Sequence, residues 1–263
     1  MAEFLAFRLY GPMASWGEIA VGETRHSAAY PSRSALIGLL GAALGVTRED
    51  EAGQQALADG YRFGVKLHAA GFPLRDYHTV QLGPQLKKLR YRTRRQELTL
   101  VPRDQLDTLL TSREYRCDSF ASVAVVATKH APRSLADVTL ALKQPVFPLY
   151  LGRKSCPPAA PLAPAVGQFA SLKAALDAFD AYPLPELVAH LKEHRKAPAR
   201  DRDRRRLRMS SPRYYWDEAF GSDGLEAGCP AVMTLTRHDE PTSRLRWQFA
   251  PRREHVFLVE ERP

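Results

Sequence analysis

Cysteine is scarce in this sequence. The three cysteines, Cys117, Cys156 and Cys229, stand far apart and form no CxxC pair. Long apolar runs are missing too, since none approaches the ~20 residues of a membrane helix. The first residues, MAEFLAFRLYG, lack the basic region and apolar segment of a secretory signal. We therefore expect reduced thiols and a cytoplasmic protein that makes no membrane contact.

Acidic residues are depleted from two segments of the chain. Residues 85–95 hold six basic and no acidic side chains, and residues 195–208 hold eight basic and two acidic ones. This surplus exceeds the net charge of +9 for all 263 residues, so the rest of the chain is slightly acidic. Localised positive patches favour a polyanionic partner over a general role in solubility.

Complete motifs for metal or nucleotide chemistry are also missing. His190 and His194 match the pattern HxxEH, but Lys192 lies between them and a basic run follows. That charge disfavours a bound dication and favours a solvated helix end. The sequence GRKS at 152–155 resembles only the tail of a P-loop, and two prolines then prevent the helix that should follow. We expect neither a metal nor a cofactor.

The best-defined stretch follows the first predicted strand, which ends in a Gly-Pro break. After a loop, a helix is predicted from the N-cap Ser32 to Leu44, with Gly45 as its C-terminal stop. The helix is apolar almost all round, so we expect it to be buried. Gly38 and Gly41 cost helix propensity, which predicts neighbours that pack very close to them.

The start of this helix is predicted to attract phosphate. Unpaired N–H groups and the helix dipole favour an anion there, and basic residues and a tryptophan lie close by in the sequence. The candidate phosphate-contacting residues are Trp16, Arg25, His26, Ser32, Arg33 and Ser34. The alternative is that Trp16 fills the core and that Arg33 is solvated.

A second candidate region is the basic stretch LKKLRYRTRRQELTLV at 86–101. Its period-2 alternation predicts a strand that carries four cations on one face: Lys88, Arg90, Arg92 and Arg94. Such a face is either solvated or covered by phosphates, and Tyr91 offers a stacking surface. We predict a basic hairpin that projects from the body; the alternative is an edge strand that resists aggregation.

The order of the predicted elements indicates an α+β fold. Strands are predicted over 4–9, 61–69 (half-buried), 76–82, twice within 113–129 and over 147–151, and helices over 48–59 and 134–142. This order resembles a ferredoxin-like or RRM-like βαββαβ domain over residues 1–155, with the basic hairpin (a thumb) inserted. The sheet of an RRM is also a platform for single-stranded RNA.

Residues 156–263 are predicted to pack on that domain. A proline-rich crossing segment over 156–167 is followed by helices over 171–181 and 184–196. A basic loop over 195–208 comes next. Strands over 231–236, 244–249 and 255–259 close the chain.

Four segments resemble a known family: GPMASWG at 11–17, TRHSAAYPSRSALIGLLGAALG at 24–45, REYRCDSFASVAVV at 113–126 and PLYLGRKSCP at 148–157. They are similar to the type I-E members of family five of the CRISPR-associated proteins. The resemblance implies a non-catalytic subunit of Cascade, an antiviral ribonucleoprotein complex, that caps the 5′ handle of the CRISPR RNA. It also implies contacts with the backbone subunit and the large subunit, and with target DNA only through the complex.

The resemblance adds a loop to the RNA-binding candidates: Gly152, Arg153, Lys154 and Ser155. The phosphate-contacting residues and the basic hairpin become RNA-binding candidates in the same way. The alternative for the loop is a surface turn without function.

Two competing functions stay open. Members of the family from type I-C systems process the guide RNA themselves. His26 with Tyr30, or Tyr115 near Lys129, would serve such metal-independent cleavage, because the RNA 2′-OH is its own nucleophile. The competing functions are therefore a guide-RNA endoribonuclease and a generic module that binds single-stranded RNA.

Overall fold

A computed structural model describes residues 1–18, 20, 22–84, 91–179 and 211–259. The strands are β1 (Ala2–Tyr10), β2 (Met13–Ala14), β3 (Trp16–Gly17), β4 (Thr24–Arg25), β5 (Ser27–Ala28), β6 (Tyr61–Ala69), β7 (Phe72–Leu82), β8 (Asp107–Cys117), β9 (Phe120–Ala127), β10 (Ala165–Phe169), β11 (Arg213–Asp217), β12 (Met233–Ser243) and β13 (Gln248–Leu258). The helices are α1 (Arg33–Leu44), α2 (Glu51–Gly60), α3 (Arg94–Leu100), α4 (Leu135–Lys143) and α5 (Leu172–Ala178). None of these helices is long and apolar enough to cross a membrane.

A seven-stranded sheet in the order β10-β1-β9-β6-β11-β13-β12 forms the centre of the fold. Every neighbouring pair in it is antiparallel. The first four strands of this order alternate with α1 and α4 along the chain, and the last three extend the same sheet beyond β6. The fold is therefore mixed, with α-helices and mostly antiparallel strands, as the α+β prediction has it.

Alternation along β1 places the core on both faces of the sheet. Leu5 and Phe7 are buried in the main cluster with residues of α1 and α4, whereas Phe4 is buried with Leu172 and Leu176 of α5. Since successive side chains of a strand point to opposite faces, α1 and α4 cover one face of the sheet and α5 covers the other.

Helix α1 forms as predicted because both of its ends carry local stop signals. The hydroxyl of Ser32 accepts a hydrogen bond from the backbone N–H of Ala35, and Gly45 adopts the left-handed conformation with φ +79°. The close neighbours predicted at the two internal glycines are present. A Cβ at Gly38 would lie 3.2 Å from the guanidinium of Arg244, and one at Gly41 would lie 3.4 Å from Leu57.

The strand prediction for residues 147–151 is wrong. These residues are irregular, because their backbone serves the end of α1 instead of the sheet. The N–H groups of Val146 and Phe147 donate to the carbonyl groups of Ala43 and Ala42 at 3.1 and 3.0 Å. Strand β10 takes the place beside β1 that would belong to such a strand.

The C-terminal strands also differ from the prediction. Strand β11 is missed by the sequence analysis, although it pairs with both β6 and β13. Its side chains Tyr214, Tyr215 and Trp216 are all buried, so the strand shows no alternation of apolar and polar residues. The sequence predicts three closing strands, but the structure has two longer ones, β12 and β13, which are joined by a turn at 244–247.

Strand β6 has the predicted bounds but is buried on both faces. Lys66 lies 2.8 Å from Asp177, and the imidazole of His68 lies 2.8 Å from the hydroxyl of Ser122. Polar residues on a strand predict a solvated face, and that expectation is wrong here because α5 and β9 supply partners for both side chains.

A long hairpin formed by β7 and β8 carries the basic stretch at its tip. The two strands pair from Phe72–Cys117 to Leu82–Asp107, and β8 also pairs with β2 and β4. The strand predicted over 86–101 is wrong for its described part, since residues 94–100 form helix α3. Lys88 and Arg90, the HxxEH residues, the helix over 184–196 and the basic loop over 195–208 lie outside the described residues.

Candidate nucleic-acid interface

Two adjoining cavities form a groove along helix α1. Their volumes are about 390 and 620 Å³, and both are lined by Ser34, Ala35, Gly152, Arg244 and Trp247. The groove lies between α1, the loop at 152–155 and the turn between β12 and β13. It therefore brings together parts of the chain that are distant in the sequence.

Five of the residues predicted to bind RNA line the larger cavity: Arg25, Ser32, Ser34, Gly152 and Arg153. Arg25 lies on β4, which pairs in parallel with β8, and its guanidinium donates to the carbonyl of Ala20 at 3.2 Å. The guanidinium of Arg153 lies 5.4 Å from the ring centre of Tyr115, a cation–π contact that orients it. Both arginines keep donors for a ligand in the groove.

The loop at 152–155 is a tight turn that requires glycine. Gly152 has φ +84°, and a Cβ there would lie 1.9 Å from the carbonyl oxygen of Ser15. The N–H of Leu151 donates to the carbonyl of Cys156 at 2.7 Å, and the N–H of Cys156 donates to that of Arg153 at 2.8 Å. These bonds hold Arg153 at the mouth of the groove. Lys154 and Ser155 are exposed on the same turn.

Arg33 lines neither cavity of the groove, and its surroundings disfavour the predicted RNA contact. Its side chain is 4% exposed and lies 2.6 Å from both Asp217 and Glu240. It also donates to the backbone carbonyl of Ala58 at 2.6 Å. Protein oxygens therefore surround the guanidinium, although its Nε makes no hydrogen bond among the described residues.

The helix start itself is also engaged by a protein anion. The backbone N–H of Arg33 donates to a carboxylate oxygen of Asp239 at 2.8 Å. Arg252 donates to both oxygens of the same carboxylate, at 2.6 and 3.1 Å. Burial raises the pKa of Asp239, but the charges of Arg252 and Arg237 outweigh it and hold that pKa below its usual value.

Trp16 is a core residue rather than a stacking surface. It is 3% exposed, on a short strand paired with β5, and its backbone N–H donates to the hydroxyl of Ser27 at 3.0 Å. This burial disfavours the predicted RNA contact and fits the alternative that Trp16 fills the core.

His26 and Tyr30, one of the two pairs considered for RNA cleavage, contact different partners. The imidazole of His26 is exposed and lies 3.2 Å from Glu114. Tyr30 is buried, stacks on Tyr215 and donates to Glu254 at 2.6 Å. Burial and the charge of Glu254 raise the pKa of Tyr30 far above its usual value, so its hydroxyl stays protonated.

The candidate cations in the described part of the basic stretch are exposed. Arg92 and Arg94 are exposed, and Arg94 pairs with Glu97 at 2.6 Å within α3. The hydroxyl of Tyr91 lies 3.4 Å from the carbonyl of Pro84, a weak contact at the hairpin tip. Arg92 and Arg94 therefore lie at a helix start and not on a strand face.

The sequence analysis misses one wall of the groove. Arg48, Arg244, Trp247 and Phe249 line it and combine cations with aromatic rings. The signal in the sequence is the run SRLRWQF at 243–249, in which two arginines are followed closely by two aromatic residues. Cations next to aromatic residues are typical of surfaces that bind single strands, but the same run is also predicted as an ordinary β-strand.

Comparisons with known proteins agree on one family. A family model described as CRISPR-associated protein (Cas_Cas5) matches residues 4–220. The CRISPR system Cascade subunit CasD of Escherichia coli (strain K12) is 37% identical over 170 residues, which cover 62% of this chain and 70% of CasD. A chain from a solved CRISPR RNA-guided surveillance complex is 25% identical with a TM-score of 0.58, over 98% of this chain and 90% of that one. A solved Cas protein is 22% identical with a TM-score of 0.54, over 97% and 94%, and shows likeness of fold alone.

Proposed function

Since the chain belongs to the Cas5 family of CRISPR-associated proteins, we propose that it is a non-catalytic, RNA-binding subunit of a type I-E Cascade surveillance complex. In this role it binds the CRISPR RNA and caps its 5′ handle. The similarity to CasD and to a chain of an RNA-guided surveillance complex supports the assignment.

The groove along α1 is the observation that carries this proposal. It gathers Arg25, Arg153 and Arg244 around one channel, and it adds Trp247 and Phe249 as aromatic surface. A groove of cations that follows a backbone, with aromatic side chains for the bases, is what single-stranded nucleic acid requires.

The strand order β10-β1-β9-β6 supports the ferredoxin-like, RRM-like interpretation, but its last strand is β10, which lies beyond the predicted bound at residue 155. An RRM binds RNA on its open sheet face. Here that face is covered by α5, and the residues of β1 and β9 beneath it are buried. The RNA is therefore assigned to the groove on the other side of the sheet.

The β7–β8 hairpin is assigned the role of the thumb. Its exposed tip carries Tyr91, Arg92 and Arg94, which would lie over the RNA where the strand leaves the groove. The backbone subunit and the large subunit of Cascade are the proposed protein partners, and target DNA is reached only through the complex.

The endoribonuclease function remains the second candidate because of one contact. The exposed imidazole of His26 and the carboxylate of Glu114 form a pair that would act as a general base. The hydrogen bond from His26 lowers the pKa of Glu114, with burial opposing it and Arg75 assisting.

One experiment separates the two functions. The full-length chain is incubated with repeat RNA in EDTA, and both binding and cleavage are followed on the same samples. We expect binding without cleavage, weakened by Arg25→Ala and Arg153→Ala but not by Arg253→Ala, whose side chain is exposed and paired with Glu218 outside the groove. Specific cleavage that His26→Ala abolishes would overturn the binding function.

A further inference from the structure

The smaller cavity of the groove has an apolar floor that is open to a flat group. The floor is the surface of α1 at Ala35, Gly38 and Ala42, and the volume of about 390 Å³ suits a small ligand. A Cβ at Gly38 would lie 3.2 Å from the guanidinium of Arg244, so this arginine packs over the helix at that point. Ala35 and Ala42, whose side chains are small, line the rest of the floor.

Two arginines at the rim have no carboxylate partner among the residues that the structure describes. Arg48 donates to the backbone carbonyls of Arg244 and Leu245 at 2.9 and 3.3 Å. Arg244 donates to the carbonyl of Ser34, and its Nε is buried without a hydrogen-bond partner in the described chain. Burial lowers the pKa of Arg244, and the charge of Arg48 lowers it further. An anion from outside would offset the cost of the buried charge of Arg244, and the exposed Arg48 lies beside it.

An aromatic platform stands beside the two cations. Trp247 is 60% exposed, and the guanidinium of Arg48 lies 5.2 Å from its ring centre. The edge of Phe249 supports it at a centroid distance of 5.4 Å. The backbone of Trp247 is left-handed, with φ +57°, a conformation that non-glycine residues rarely adopt. A large indole is thus held exposed at the rim by contacts that do not bury it.

We propose that this cavity, the Trp247 pocket (Gly38, Arg48, Tyr150, Arg244 and Trp247), binds one unstacked nucleotide of the RNA strand. The base stacks on Trp247 against the floor of α1, and its phosphate meets Arg48 and Arg244. The inference rests on the proposed function and adds a subsite to it. The family model ends at residue 220, so it does not reach Arg244 or Trp247.

The combination of groups favours a nucleotide over a protein segment. An acidic peptide would satisfy the two guanidinium groups but would leave the apolar floor and the exposed indole without a planar partner. A nucleotide carries a phosphate and a flat base about one sugar apart, which matches a cation beside an aromatic ring.

The test is an abasic scan of repeat RNA with the full-length chain. RNAs with one abasic nucleotide at each successive position are titrated against wild type, Trp247→Ala and Leu245→Ala; Leu245 is exposed on the same turn but does not line the pocket. We expect one position at which loss of the base weakens wild-type binding by about five- to 150-fold. Trp247→Ala should bind intact RNA and RNA that is abasic at that position with equal affinity. Leu245→Ala should lose affinity for the abasic RNA as wild type does.

Two further measurements check the same pocket. Ala42→Leu narrows the cavity with a good helix former at a position that lines the floor, and it should abolish the same position-specific effect. Trp16 and Trp216 are buried, so RNA should quench the fluorescence of Trp247, and RNA that is abasic at the critical position should not.

The outcomes are distinguishable. If wild type binds repeat RNA but no abasic position is coupled to Trp247, the pocket is not a nucleotide site and the proposed function survives. If wild type fails to bind repeat RNA, the proposed function fails as well. If Trp247→Ala keeps the wild-type abasic profile and instead loses co-purification with the other Cascade subunits, the pocket holds a protein segment.

Discussion

The carboxylate of Asp239 occupies the N-terminus of helix α1, where it accepts a hydrogen bond from the backbone N–H of Arg33 at 2.8 Å. The two residues are 206 positions apart in the sequence, and the contact joins β12 to the first helix. A helix start that attracts anions is therefore already neutralised by the protein itself. We therefore expect the arginines around the groove, and not the helix start, to bind RNA phosphates.

Replacing Arg33 should destabilise the fold. Arg33→Ala removes one partner from buried ion pairs with Asp217 and Glu240. The carboxylates then remain buried without their cation, and we expect the free energy of unfolding to fall by about 3–5 kcal/mol. Denaturant unfolding followed by circular dichroism measures the change.

The matched control for Arg33→Ala is Arg253→Ala. Arg253 pairs with Glu218 at 3.0 Å, and both side chains are exposed. Such a pair contributes at most about 1 kcal/mol. A variant Arg33→Ala with wild-type stability but weakened RNA binding would return Arg33 to the RNA surface and contradict its buried role.

Stability should fall in acid through Asp239. Although burial raises its pKa, Arg252 and Arg237 hold the pKa below the unfolded value of about 3.9. A carboxyl shifted in this direction contributes stability that is complete above the unfolded pKa and is lost as the pH falls through the folded pKa. Asp239→Asn should therefore be less stable than wild type at neutral pH, and the difference should shrink below about pH 4. Unfolding curves across this range measure it, and a constant difference would show that Asp239 is not the titrating group.

Elements with local signals could be predicted from the sequence. The bounds of α1 follow from Ser32 and Gly45, and α4 follows from a capping box in which Ser134 and Asp137 bond each other's backbone N–H groups. The same logic would have identified α3. Thr93 caps it, and Gln96 accepts a hydrogen bond from the N–H of Arg92, but the alternation of basic residues suggested a strand.

The candidate site could be predicted only in part because its walls meet through long-range contacts. Nothing near Arg33 in the sequence distinguishes a solvated arginine from one whose partner, Asp217, lies 184 positions away. Arg48 likewise meets Arg244 across 196 positions. Arg25 was predicted as a phosphate contact from its place near the start of α1, whereas Arg153 was predicted through the family resemblance.

Binding to single-stranded RNA should depend on salt through the groove arginines. Each phosphate contact contributes about −0.7 to the slope of log K against log salt concentration. If Arg25 and Arg153 each meet one phosphate, the double variant Arg25→Ala/Arg153→Ala should flatten the slope by about 1.4. Filter binding at four salt concentrations measures it, with Arg253→Ala as the control. An unchanged slope in the double variant would remove both arginines from the RNA path.

Gly152→Ala should disrupt the groove by moving the turn that holds Arg153. Its φ of +84° costs an alanine about 1–2 kcal/mol, and its Cβ would also lie 1.9 Å from the carbonyl oxygen of Ser15. The turn must then shift away from the strand that contains Trp16, and Arg153 must shift with it. Gly228→Ala is the matched control, because Gly228 has φ +83° but nothing lies within 4 Å of its Cβ position. We expect both variants to lose thermal stability because alanine disfavours a positive φ. Only Gly152→Ala should lose more stability than this and bind RNA more weakly. Equal losses of stability with unchanged RNA binding would show that the position of this turn does not matter to the site.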